Sequence, residues 1–400
     1  MNQGPTLRKR LAHRIKAAVH DRPTLDLWLD AGTSQLGGPA RSAWLWLFPE
    51  RRQPVWPFDE PERPPNRGRV LLLGLVPPED TGGASRPARL AVELHRRGFA
   101  IDWRWALDIY PVAAARRPRT AGVGAAPVRE GTPLAAPDFV LVEAPHPAFV
   151  PIVENIDEGI PVLFEQIDAW TGDLATGWYD RASEDRILAR ASVHSATAAA
   201  LRAAVEERTA RPCALVPNGV DAGLFDPGRV HPPPPGLVHG EPTIVFIGAL
   251  WGDWIDHEAI VALADARPRA AIHLVGRGGD RPLPARPNLH VHGERPRAEI
   301  PAWLQHAQAA LVPFREGVVA TATSPLKAYE ALAMGCPVAA TGTGEIFGMP
   351  GVAGGPGVDL VAATDRAAAM RISPTDAAGF AATHSWAARV DRLLELVDCG

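Results

Sequence analysis

Ser324-Pro-Leu-Lys-Ala-Tyr-Glu330-Ala-Leu-Ala-Met-Gly335-Cys-Pro-Val-Ala-Ala-Thr341 reads as a whole helix, with its start and stop signals, running into a buried strand. Ser324 suits the N-cap, where its hydroxyl takes an orphan backbone N–H. Pro325 falls at the first helical position, where its missing N–H costs nothing, and Leu326 follows. Gly335 stands where a left-handed residue ends a helix. The start of such a helix exposes free N–H groups and the positive end of its dipole, which suits phosphate. Lys327 and Glu330, three apart, share one face of the first turns. A cation and a carboxylate there suit a nucleotide diphosphate, the lysine for phosphate and the glutamate for ribose hydroxyls. An exposed charge pair on a plain surface helix is the alternative reading.

Composition sharpens this reading and excludes others. The chain of 400 residues has only three lysines, Lys9, Lys16 and Lys327, among 41 basic residues, so Lys327 looks placed. The length fits about two or three domains. A hydrophobic content of 46% with 22% charged residues is that of a globular protein able to bury sizeable cores. A net charge of −4 gives no footprint for nucleic acid. Cys213, Cys336 and Cys399 lack any paired spacing, so neither a disulfide framework nor a metal site is indicated. The expectation is a cytoplasmic protein, since no apolar run of about 18 residues is present and the N-terminus lacks a secretory pattern.

Outward from the opening stretch, the chain repeats one grammar. Residues 7–20 place Leu7, Leu11, Ile15 and Val19 at helical spacing among Arg8, Lys9, Arg10, Arg14 and Lys16. Such a basic amphipathic helix suits a peripheral contact with an anionic membrane, or packing on its own domain. Val70–Val76 is a continuous apolar run of the kind buried in a parallel sheet. Gly82 and Gly83 follow it, then a helix over Arg86–Arg97 and a strand from Phe99. The paired glycines either let a ligand approach backbone or make a tight turn. Phe139–Glu143 and Ile160–Gln166 read as strands, with His146 and Asp168 just beyond their ends. Ligands of open α/β sheets bind outside carboxyl strand ends, so Asp168 is a candidate general base, or a loop cap. Residues 182–208 read as helical. Pro232–Pro235 lies in a stiff linker, after which strands at Thr243–Gly248, Ala271–Gly276, Leu289–His292 and Ala310–Phe314 alternate with helices. A helix over 384–397 closes the chain.

Two Rossmann-like domains in this order resemble the GT-B glycosyltransferases, specifically family 4 (group 1). The resemblance covers about residues 69–395 and rests on Val216-Pro-Asn-Gly-Val-Asp221, Ile247-Gly248-Ala-Leu, Asn288-Leu-His-Val-His-Gly293, Pro313-Phe314 and the opening stretch. It implies an α/β fold of GT-B architecture with an extra N-terminal segment. Residues 1–65 are that extension, 66–228 an acceptor domain, 229–382 a donor-nucleotide domain, and 383–400 a helix returning to the first domain. It implies transfer of a sugar from a nucleotide diphosphate to a hydroxyl-bearing acceptor, with closure between domains excluding water.

In the residues that match, Glu330 looks like the ribose carboxylate and Lys327 like the phosphate lysine. Ser324, Pro325 and Leu326 flank them. Gly248, Gly276, Arg277 and Phe314 resemble donor-side positions, and Gly82, Gly83 and His146 acceptor-side ones. Asp168 falls where members place an acid or a histidine near the reaction centre: a base if the enzyme inverts, an orienting group if it retains. Two departures stand out. Ala322 occupies the place of a second glutamate, and Trp251–Asp256 lacks the usual arginine and lysine, leaving Lys327 with Arg277 or Arg315 to meet the phosphates. No metal or other cofactor is required on this reading. A sugar-nucleotide epimerase and a non-catalytic scaffold are the rival functions.

Overall fold

The computed structural model describes residues 56–59, 65–78, 85–107, 120–130, 135–170, 175, 177–250, 252–278 and 283–398. The expectations for residues 7–20 and for Gly82 and Gly83 fall outside them.

The first sheet has seven strands: β1 (Gly68–Gly74), β2 (Phe99–Trp105), β3 (Val123–Pro127), β4 (Phe139–Val142), β5 (Val162–Gln166), β6 (Val193–Ala196) and β7 (Ala214–Leu215). Their order is β3-β2-β1-β4-β5-β6-β7, and every pairing is parallel. The order reverses between β1 and β4, which is the switch point of a doubly wound sheet. Helices α1 (Arg86–Arg96), α2 (Val150–Asn155), α3 (Arg181–Arg190) and α4 (Ala199–Thr209) make the crossovers. Side chains of β1 alternate between two cores, Val70 and Leu72 in one, Leu71 and Leu73 in the other. This is why the strand reads as an unbroken apolar run.

The second sheet holds β8 (Thr243–Ile247), β9 (Ala271–Val275), β10 (Leu289–Gly293), β11 (Ala309–Pro313), β12 (Val338–Thr341) and β13 (Val352–Gly354). Its order, β10-β9-β8-β11-β12-β13, is again parallel, with its switch between β8 and β11. The remaining helices in chain order are α5 (His257–Ala266), α6 (Ile300–Gln305), α7 (Val318–Thr321), α8 (Leu326–Ala333), α9 (Leu360–Ala369), α10 (Pro374–Thr383) and α11 (Trp386–Asp398), of which α7 and α11 group with the first sheet. Asp256 caps α5 by accepting from the Ala259 N–H at 3.0 Å.

By contacts the chain forms two units. One runs from Pro54 to Ala222 and takes back Val318–Tyr329 and the chain from Ala381 onward; the other has Gly223–Gly317 and Glu330–Phe380. Helix α11 packs Trp386, Val390, Leu393 and Leu394 into the core around β1 and β2. One expectation fails. Residues 182–208 are not continuously helical, because β6 lies between α3 and α4. Its four residues, Val193-His-Ser-Ala196, extend the sheet beside β5, and their polar members are buried, with His194 bonded to the Leu188 carbonyl and Ser195 to Glu165.

Candidate functional site

The opening stretch folds as α8 followed by β12. Its stop is the one the sequence announces. Gly335 has φ +72°, its N–H donates to the Leu332 carbonyl at 3.0 Å, and the Cys336 N–H donates to Ala331 at 2.9 Å. These two bonds make a Schellman closure. At its start, the Ser324 hydroxyl accepts from the Asn218 N–H at 3.1 Å and donates to the Tyr329 hydroxyl at 3.2 Å. The Asn218 side chain also donates to the Ser324 carbonyl at 2.6 Å. The reason is burial. Ser324 is 2% exposed, and the Asn218 N–H, withdrawn from water with it, needs an acceptor. Pro325 is buried, Leu326 half-buried against the first core, and Lys327 half-buried on the first turn.

Glu330 is 5% exposed. Its Oε1 lies 2.8 Å from Arg297 Nη1, out of line for a hydrogen bond, and so remains without a hydrogen-bond partner. A buried carboxylate oxygen held by an ion pair alone, with no aligned hydrogen bond, is a reason to look for a ligand.

The glycines at the ends of β8 and β9 have a steric cause. Gly276 has φ +150°, and a Cβ there would stand 1.9 Å from the Gly248 carbonyl oxygen. The two strand-end backbones therefore touch, and only glycine permits it. Phe314 is buried, and its carbonyl accepts from the Thr341 hydroxyl at 3.0 Å. Arg315 is engaged by Glu258 and by Asp256 at 3.6 Å, and Arg277 stands 3.9 Å from Glu294. Ala322 is 5% exposed and packs in the core with Leu71 and Phe164, a place a carboxylate would not occupy without a partner.

On the first unit, Asp168 follows β5. It is half-buried, and desolvation of its carboxyl pushes its pKa up to about 7. Its carbonyl accepts from the Gln166 side chain at 2.8 Å. His146 follows β4. Its Nδ1 accepts from the Ala148 N–H at 3.1 Å, capping the next turn, and its ring stacks on Trp178 with centroids 5.8 Å apart. Burial holds its pKa below the ordinary histidine value.

Sequence reading missed a buried cluster on this unit. Arg86, at the start of α1, donates to both oxygens of Glu165, at 3.1 and 2.7 Å, and to the Pro217 carbonyl at 3.0 Å. Ser195 donates to Glu165 at 2.9 Å. Glu143 is fully buried beside them, and neither of its oxygens has a hydrogen-bond partner. Burial first, then the Glu165 charge, and against them the Arg86 charge, leave its pKa well above the carboxylate range. Arg86 thus ties the strand ends to the Pro217-Asn218 turn, and Asn218 ties that turn to Ser324. The sequence signal was present: Glu143 and Glu165 are charges at the ends of apolar strands.

Among the described residues, no group of His, Cys, Asp and Glu side chains is placed to hold a metal ion, and no helix is long and apolar enough to cross a membrane.

Residues 241–373 match the family model described as "Glycosyl transferases group 1". A sequence search against curated proteins finds no match. Among solved structures, the chain is similar to sucrose-phosphate synthase from Thermosynechococcus elongatus, with a TM-score of 0.58 at 15% identity over 83% of this chain and 98% of that one. It is similar to HepE of Anabaena in complex with UDP-glucose, with a TM-score of 0.57 at 15% identity over 84% and 100%. It is also similar to AviGT4, a glycosyltransferase involved in avilamycin A biosynthesis, with a TM-score of 0.56 at 14% identity over 83% and 99%. The chain therefore has the GT-B fold, and its residues 241–373 are similar to the group 1 glycosyl transferases.

Proposed function

We propose that the protein transfers a sugar from a nucleotide diphosphate to a hydroxyl-bearing acceptor. The observation that carries this reading is the buried, unfilled Oε1 of Glu330, one helical turn beyond Lys327 on α8. Glu330 accepts hydrogen bonds from the ribose, and Lys327 and the start of α8 take the diphosphate. As the sugar–phosphate bond breaks, negative charge grows on the leaving phosphate, and a fixed ammonium and oriented N–H groups stabilise it there. With Arg315 engaged by two carboxylates, Lys327 carries most of this charge, and no metal is needed. On the first unit, Asp168 is the acceptor-side base, its pKa of about 7 suited to taking a proton from a hydroxyl. The match of residues 241–373 to the group 1 family supports the reaction class, and HepE, of the same fold, has been solved with UDP and with UDP-glucose.

The test is calorimetric titration with UDP, GDP and ADP on wild type and on Lys327→Ala. One nucleoside diphosphate binds, and the variant weakens it by about tenfold or more, as loss of a charge-assisted phosphate contact requires. Absence of binding to all of them would remove the phosphate role of α8 and bring the scaffold reading forward.

A further inference from the structure

Facing Glu330 is a cation that lies outside the sequence motifs. Arg297 opens the short turn Arg297–Glu299 that follows β10. Its guanidinium lies 5.2 Å from the centre of the Phe225 ring, and its Nη1 stands 2.8 Å from Glu330 Oε1. The two side chains are only 16% and 7% exposed. An arginine this close to a carboxylate ordinarily forms two parallel hydrogen bonds. Here it does not. Glu330 Oε1 and Arg297 Nε are both buried without a hydrogen-bond partner. An unfilled acceptor and an unfilled donor, on neighbouring side chains, complement a group that both donates and accepts. A vicinal diol supplies both roles at once, one hydroxyl giving its hydrogen to the carboxylate and the other taking one from the guanidinium.

We propose that Arg297 is a specificity-determining residue of the donor site, which together with Glu330 selects ribonucleotides against 2′-deoxyribonucleotides. The inference rests on the reading of Glu330 as the ribose carboxylate and adds a second, donating half to it. Phe225 holds the guanidinium in place by its ring face, so the fork does not have to be ordered when the nucleotide arrives. A deoxyribose leaves one of the two buried groups unfilled. A site built to hydrogen-bond a substrate hydroxyl rejects the analogue lacking it far more strongly than a site that merely encloses it. Donors activated as thymidine diphosphates are thereby excluded, and uridine, guanosine and adenosine diphosphates remain.

The experiment titrates the full chain with UDP, GDP and ADP and with their 2′-deoxy forms, on wild type, Arg297→Ala, Arg297→Lys and Glu330→Gln. Wild type is expected to lose about tenfold or more in affinity when the 2′-hydroxyl is removed. Arg297→Ala is expected to weaken the ribonucleotide by a similar factor while leaving the deoxy form nearly unchanged, so the preference collapses. Arg297→Lys restores part of the affinity, because it returns the charge without the fork. The proposal is overturned if Arg297→Ala binds the ribonucleotide as wild type does, or weakens both forms equally, which is what a purely structural role would give. Where Arg297→Ala does not fold, the lysine variant carries the same comparison. A ribose preference lost in Glu330→Gln but kept in both Arg297 variants removes Arg297 alone. Absence of any ribose preference in wild type removes the reading of Glu330 as well.

Discussion

Asp168 could be found from the sequence because a carboxylate just past an apolar strand is where α/β sheets place ligands. What the sequence could not give is how dry that place is, since desolvation depends on side chains brought in from elsewhere. The same limit hid the Arg86 cluster: Arg86, Glu143 and Glu165 are scattered along the chain and meet only through the sheet order. Removing Arg86 would leave two buried carboxyls with no counter-charge. The raised pKa of Asp168 has a readable sign. Its folded value of about 7 lies above the ordinary 3.8, so the folded state holds a proton that the unfolded chain releases. The stability this group contributes is full below 3.8 and is lost as pH rises through about 7. Catalysis runs the other way, because a base must be ionised. We expect kcat/KM to rise with pH through about 7 in wild type. In Asp168→Asn it should be about 10²–10⁴-fold lower and lack that limb. Thermal unfolding at pH 8 should show the variant to be the more stable, by at most on the order of 4 kcal/mol. A wild-type profile flat across pH 6–8 would remove Asp168 as the base.

At the scale of the element, α8 separates what is local from what is not. Its C-terminal stop is encoded within three residues, Met334-Gly335-Cys336, and was legible for that reason. Its N-terminal hydrogen bonding was not, because the partner that takes Ser324 is Asn218, 106 positions away in sequence. Lys327 and Glu330 were legible because a three-residue spacing fixes a shared face whatever surrounds it, whereas Arg297 reaches Glu330 only in the folded unit. The stop also makes a clean test. At Gly335 an added Cβ would meet the Ile372 carbonyl at 3.6 Å and Ala377 Cβ at 3.7 Å, which is ordinary contact. The cost of Gly335→Ala is therefore backbone strain at φ +72° alone, on the order of 1–2 kcal/mol. Urea unfolding should show the midpoint lowered with the slope unchanged. Nucleotide affinity should stay as in wild type, since the phosphate end of the helix is untouched. A loss of several kcal/mol would mean that the helix end is packed more tightly than these distances allow.

For the whole molecule, the repeated alternation of apolar strand and helix was enough to read two parallel sheets, whereas the two units divide at Ala222–Gly223, so the proline run lies within the second of them. The strands that escaped notice are those whose residues carry little hydrophobic signal: β3, with Gly124 and two alanines, β6, with a buried histidine and serine, and the three-residue β13, Val352-Ala-Gly354. Where the chain's last helix goes is a matter of pattern and packing together. Its apolar face is plain in the sequence, and the core around β1 and β2 receives it. Two backbone bonds lock the approach, the Val220 N–H donating to the His384 carbonyl at 2.8 Å and the Trp386 N–H to the Val220 carbonyl at 3.1 Å. Trp386 itself is 3% exposed, and the Arg86 guanidinium lies 5.9 Å from its ring. If α11 completes that core, Trp386→Ala should cost about 3–5 kcal/mol, as expected for an emptied aromatic site, a large part of a typical domain's whole stability of about 5–15 kcal/mol. Chemical denaturation should show it. Val397→Ala, at a partly buried position on the same helix, should cost no more than about 1 kcal/mol, in line with its smaller transfer term. Equal, small losses at both positions would mean that the helix merely lies on the first unit and that its core closes without it.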